Sequence, residues 1–101
     1  MKGIVQIVDD DPAVRDALVW LFKSRGVESV AWDSATQFLG GFRECDKGCL
    51  VLDVRMPDMS GIELFDRLRQ RGCTLPVIFL TGYGDVPLAV RAITDGAFDF
   101  P

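Results

Sequence analysis

Cys49-Leu-Val-Leu-Asp53, then Val54-Arg-Met-Pro-Asp58, then Ser60-Gly-Ile-Glu63 is the stretch that decides the fold. An unbroken apolar run ending on a carboxylate suits a parallel strand covered on both faces. The chain then breaks around Pro57. Ser60 and Glu63 make a capping-box pattern, and Ile62, Phe65 and Leu68 keep helical spacing until Arg71-Gly72. Strand, sharp break and helix form one βα unit, with Asp53 at the carboxyl end of its strand.

The same unit recurs on both sides. Toward the N-terminus, Gly3 to Val8 is a short β-branched strand that stops at Asp9-Asp10-Asp11-Pro12, where Asp11 caps a helix and Pro12 fills its first turn. Val14, Ala17, Leu18, Leu21 and Phe22 form that helix's stripe, and Gly26 closes it. A second strand, about Val27 to Trp32, leads into Ser34-Ala-Thr-Gln37, another capping box, and a helix through Phe38, Leu39 and Phe42. Toward the C-terminus, Pro76 to Leu80 reads as a fourth strand and Thr81-Gly-Tyr-Gly84 as a turn. Asp85 and Pro87 then open a helix carrying Val86, Ala89, Val90 and Ile93, and Ala97 to Phe100 begins a fifth strand. Strands alternating with single helices imply a doubly wound α/β fold on a parallel sheet. Trp20 and Trp32 are assigned to packing, and Met56 and Met59 to filling the loop beside Asp53.

Composition bounds the function. At 101 residues the chain has room for one domain, and 49% apolar with 26% charged residues is the balance of a globular protein. A net charge of −4 supplies no basic stripe for phosphate backbones, so direct nucleic-acid binding by this segment is not expected. Cys45, Cys49 and Cys73 are odd in number and there is no His, which argues for reduced thiols over a disulfide framework or a zinc set. No apolar run is long enough to span a bilayer and the N-terminus has no leader pattern, so the expected setting is cytoplasmic.

In a doubly wound sheet, ligands bind beyond the carboxyl ends of the strands. Asp9 and Asp10, Asp53, and Thr81 meet at that edge. Gathered carboxylates repel, and a hard divalent cation such as Mg²⁺ removes the cost while preparing the site for phosphoryl oxygens. Phosphoryl transfer depends mainly on positioning and charge neutralisation, which suits an aspartate beside a metal as nucleophile and Thr81 as a hydroxyl donor. Taken singly, each residue has a plainer reading: Asp9-Asp11 as a solvated turn and cap, Asp53 as a turn residue, Thr81 as a turn former, Phe100 as a buried edge-strand aromatic.

Together, Ile7-Val-Asp-Asp-Asp11, Leu50-Val-Leu-Asp-Val-Arg-Met-Pro-Asp-Met-Ser-Gly61, Pro76-Val-Ile-Phe-Leu-Thr-Gly82 and Gly96-Ala-Phe-Asp-Phe100 resemble the receiver domains of two-component response regulators. The resemblance is strongest to receivers that control LuxR-type DNA-binding output domains. It implies a flavodoxin-like, CheY-like receiver fold with strand order 2-1-3-4-5 over residues 1–101. It also implies that Asp53 is the phosphoacceptor for a histidine kinase. Asp10, Asp53 and the backbone carbonyl of Arg55 would hold Mg²⁺, with Asp9 assisting through water. Thr81 and Phe100 would be the switch pair; Gly82 would leave access to the acyl phosphate, and Arg55 and Tyr83 would tune its lifetime. Such a domain is not an enzyme on outside substrates; it assists only its own phosphorylation and dephosphorylation.

The resemblance also implies what this sequence lacks. In the family a short apolar stretch and then a Lys-Pro pair follow the switch aromatic, whereas here Pro101 follows Phe100 directly and Lys2, Lys23 and Lys47 all precede the third strand. Without that point charge, slow or absent switching is expected. The family's last helix is missing too, and the output domain is absent, so the receiver is read as C-terminally incomplete. Its sheet is expected to leave apolar surface on strands three to five bare and to drive homodimerisation or strand exchange. The alternative to a phosphorylated switch is therefore an interaction-only, self-associating receiver fragment. A nucleotide-binding or metal-dependent hydrolase is disfavoured because no Gly-rich phosphate loop follows the first strand.

Overall fold

The structure, a computed structural model, describes residues 3–42, 48–82 and 84–94. The described strands are β1 (Ile4–Val8), β2 (Ser29–Trp32), β3 (Gly48–Asp53) and β4 (Val77–Leu80). The helices between and after them are α1 (Pro12–Ser24), α2 (Ala35–Gly41), α3 (Gly61–Gln70) and α4 (Asp85–Thr94). The sheet is wholly parallel in the order β2-β1-β3-β4, as far as the expected order can be followed. The fifth strand expected at Ala97 to Phe100 lies outside the described residues.

Sequence sets the helix starts. The Asp11 side chain accepts from the Ala13 N–H with Pro12 at the first helical position. Ser34 accepts from the Gln37 N–H and Ser60 from the Glu63 N–H. The return half of each capping box is absent: Gln37 accepts instead from the Asp33 N–H, and Glu63 pairs with Arg67 one turn on. Both acceptors are on the surface, where another partner costs little.

From β1 the chain steps to β2 on one side, whereas the crossovers through α2 and α3 step the other way. With one hand for all crossovers, α1 must lie on one face and α2 and α3 on the other. Two cores follow. Val5, Ile7, Cys49, Val51 and Leu80 pack with Val14, Leu18 and Phe22 of α1, while Val8, Leu50 and Leu52 pack with Phe38 of α2 and Leu64 and Leu68 of α3. Cys49 and Cys73 are free and buried, and burial pushes the Cys49 thiol up to about 12, so it packs as a small apolar group.

Three readings need correction. Trp20 is 67% exposed on α1, because the buried stripe runs through Val14, Leu18 and Phe22 and turns Ala17 and Trp20 outward. Ile62 is likewise exposed, since Gly61, Leu64 and Leu68 form the buried stripe of α3. The bare sheet is corrected only in part: α4 joins the α1 layer, burying Val86, Ala89, Val90 and Ile93 over Cys49, Val51 and Leu80, while Val77, Ile78 and Phe79 of β4 stay half-buried. Trp32 does pack, edge-on to Phe38 with centroids 5.5 Å apart, and its Nε1–H donates at 2.8 Å to Oε1 of the buried Gln6.

Candidate functional site

Strand register builds the site. Val8 pairs with Leu52 and Asp53 with Leu80, so the residues just past β1 and at the end of β3 come side by side. Asp9, Asp10 and Asp53 each offer a carboxylate oxygen, and these oxygens all lie within 4.8 Å of one another. Asp9 is buried, Asp53 half-buried and Asp10 exposed. They line a cleft of about 200 Å³ with Asp11, Val14, Leu80 and Gly82.

Two of the three carboxylates are tied to backbone. Asp9 Oδ1 accepts from the Asp11 N–H at 2.9 Å, and Asp53 Oδ1 from the Arg55 N–H at 3.1 Å. These bonds favour the charged forms but do not prevail: burial, then the neighbouring carboxylates, pushes the Asp53 carboxyl up to about 6, and burial raises Asp9 as well. An all-oxygen donor set whose members resist ionising together fits a small hard cation, which relieves the strain in one step.

Behind the cleft the backbone is closely held. Nη1 of Arg15 donates at 2.8 Å to the Asp9 carbonyl. The Gly61 N–H donates to the Val54 carbonyl at 3.0 Å, and a Cβ at Gly61 would stand 2.3 Å from the Asp53 carbonyl oxygen. Glycine is therefore required there by close approach, since α3 begins directly against the backbone of Asp53. The connection after β3 is anchored further out, where the Thr36 N–H and hydroxyl both donate to Asp58 and hold its carboxyl below the usual range.

The remaining candidates divide. Arg55 is exposed, and its N–H bond keeps its peptide beside Asp53. Gly82 lines the cleft with open space where a Cβ would stand. Thr81 does not line the cleft: its N–H and hydroxyl both donate to Asp85 Oδ2, at 2.7 and 2.6 Å. Tyr83 and Phe100 lie outside the described residues. Sequence reading missed Arg15, Gly61 and Asp85 as participants. Asp85 carried a signal, the Thr-x-x-x-Asp spacing across a turn into a helix; Arg15 carried none, since a side chain reaching back six residues to a carbonyl follows no short motif.

Comparison with known proteins gives the family and the fold. The family model for the response regulator receiver domain matches residues 5–100. The chain is 50% identical over 102 residues to the C4-dicarboxylate transport transcriptional regulatory protein DctR of Rhodobacter capsulatus, covering 99% of this chain and 52% of that protein. It is 49% identical over 96 residues to the transcriptional regulatory protein FixJ of Azorhizobium caulinodans, covering 95% of this chain and 46% of that protein. Among solved structures, response regulator StyR matches with a TM-score of 0.76 at 46% identity, over 95% of this chain and 48% of that one. Full-length FixJ from B. japonicum matches with a TM-score of 0.74 at 43% identity, over 95% and 47%. The chain thus spans about half the length of the curated relatives it matches.

Proposed function

This chain belongs to the response regulator receiver domain family, and from that membership we propose that Asp53 accepts a phosphoryl group from a histidine kinase and passes the signal to a transcriptional output. The observation that carries the reading is the convergence of Asp9, Asp10 and Asp53 in one cleft, with oxygens within 4.8 Å of one another.

In the proposed transfer, an Asp53 oxygen bonds to phosphorus as the phosphorus–nitrogen bond to the kinase histidine breaks, and the imidazole leaves with the electron pair. Asp10, Asp53 and the Arg55 carbonyl would hold Mg²⁺, with Asp9 acting through water. The ion supplies positive charge that neutralises the carboxylates and the transferred oxygens. The Arg55 N–H orients Asp53, Gly82 leaves the approach open, and Thr81 donates its hydroxyl to a phosphoryl oxygen once it leaves Asp85. Movement of Thr81 is then available to the switch aromatic Phe100, and Arg55 and Tyr83 set how fast water reaches the acyl phosphate. The chain's chemistry is confined to its own Asp53.

Incubation with Mg²⁺ and acetyl phosphate, followed by intact-mass measurement, tests the reading. One added phosphoryl group is expected in the wild-type chain and none in Asp53→Asn. A wild-type chain that gains no mass overturns the proposal in favour of an interaction-only receiver.

A further inference from the structure

We propose that Asp85 is a positioning residue that holds the Thr81 hydroxyl away from Asp53, so that phosphoryl uptake is fast only in molecules whose Thr81–Asp85 pair is broken. The inference rests on the reading of Asp53 and Thr81 above and adds the group that governs their meeting.

The pair links the residue that follows β4 to the first residue of α4. One carboxylate oxygen, Asp85 Oδ2, takes both the Thr81 N–H and the Thr81 hydroxyl, at 2.7 and 2.6 Å. Bonds from neutral donors to a carboxylate are among the stronger protein hydrogen bonds. Sharing one acceptor also fixes the backbone and side chain of Thr81 together. The residues on either side, Leu80 and Gly82, line the acidic cleft, whereas Thr81 and Asp85 line a separate depression with Phe79 and Leu88. Side chains alternate at the end of a strand, so β4 by itself aims Thr81 away from the cleft and Asp85 retains it there.

Asp85 has little freedom to follow Thr81. It is the first residue of α4, its N–H donates to the Gly82 carbonyl at 3.1 Å, and the next residue, Val86, is buried in the α1 layer. The Thr81 bonds also hold the Asp85 carboxyl below the usual carboxylate range, so it is ionised at neutral pH and a full-strength acceptor. For Thr81 to meet a phosphoryl group, both bonds must break or the first turn of α4 must shift. The pair is exposed to water, which competes for every donor in it. The broken state is therefore a populated minority, and removing the carboxylate has a several-fold effect.

The test compares the full chain with Asp85→Asn, Asp85→Ala, Thr81→Val and the double variant Thr81→Val/Asp85→Ala. Initial rates of mass gain with Mg²⁺ and acetyl phosphate are expected to rise about three- to tenfold in Asp85→Ala, less in Asp85→Asn, and not at all when Asp85→Ala is added to Thr81→Val. Equal rates in the wild type and Asp85→Ala, or an undiminished rise in the Thr81→Val background, would overturn the proposal. A second measurement needs no phosphoryl transfer: the Thr81 amide proton resonance is expected to move upfield and exchange faster in Asp85→Ala. An unchanged Thr81 amide overturns the proposal even if rates rise. A wild-type chain without mass gain but with the amide response shows that the Thr81–Asp85 hold exists and that the functional reading of Asp53 is what failed.

Discussion

At the scale of single residues, the cleft trades stability for chemistry. Asp53 is raised to about 6 and Asp9 is raised with it, so the folded chain binds more protons than the unfolded chain from the ordinary carboxylate range up to that value. The stabilising contribution of Asp53 is full below the unfolded value and lost as pH rises through about 6, and that of Asp9 is lost in the same sense. Metal-free protein should therefore show a higher urea midpoint at about pH 5 than at about pH 7. Asp58 and Asp85 are shifted down and act oppositely, losing their contribution only at lower pH. Asp10→Asn removes one of the crowded charges: without metal it should raise the thermal midpoint, and it should also remove the rise that Mg²⁺ produces in the wild type. A Mg²⁺ response as large as in the wild type would show that Asp10 is not a ligand. Gly61→Ala should do the reverse of Asp10→Asn, costing about 1–3 kcal/mol in urea titration because its Cβ meets the Asp53 carbonyl.

At the scale of elements, sequence and structure agree where a local rule was sufficient. The apolar run into Asp53, the Asp11-Pro12 start and the serine caps each needed only neighbours along the chain, and each was legible. The stripes of α1 and α3 were legible for the most part: Val14, Leu18, Phe22 and Leu68 are buried as read, while Ala17 and Ile62 are exposed and Leu64 is buried instead. Ala17, Trp20 and Ile62 fit a helical repeat as well as Val14, Leu18 and Leu64 do, and only the tilt of each helix on the sheet decides which row is buried. The face taken by α4 departs from the topology: in the order 2-1-3-4-5 a crossover of the same hand would lay it beside α3, yet its buried residues pack in the α1 layer. Ile93 is buried to 1% in the layer shared with α1. Ile93→Ala should cost about 2–5 kcal/mol in chemical denaturation, whereas Leu88→Ala, 63% exposed on the same helix, should stay within about 0.5 kcal/mol. Equal effects would place α4 elsewhere.

At the scale of the whole molecule, the site was legible as a set of strand ends, because a parallel sheet aligns its carboxyl edges whatever the loops do. The partners of those strand ends were not, since Arg15 on Asp9, Gly61 on Asp53 and Asp85 on Thr81 are facts of three-dimensional closure. Self-association, expected from an uncovered face, now has a narrower basis. Among the described residues α4 covers part of the α1 face, β4 keeps Val77, Ile78 and Phe79 half-buried, and the large apolar side chains left exposed are Trp20, Val30, Ile62 and Leu88. Sedimentation at rising concentration should show a dimer that Leu88→Asp weakens; a monomer throughout would remove self-association from the account.

The register that aligns Val8 with Leu52 and Asp53 with Leu80 also insulates the chemistry from half of the molecule's connections. Residues 43–47 join α2 to the start of β3, the end of that strand opposite Asp53. Doubling such a connection costs only about 0.6 kcal/mol in closure entropy. A peptide tag or fluorophore grafted between Phe42 and Gly48 should leave the proposed phosphoryl uptake at Asp53 unchanged in the intact-mass assay, since Gly48 and Asp53 stand at opposite ends of β3.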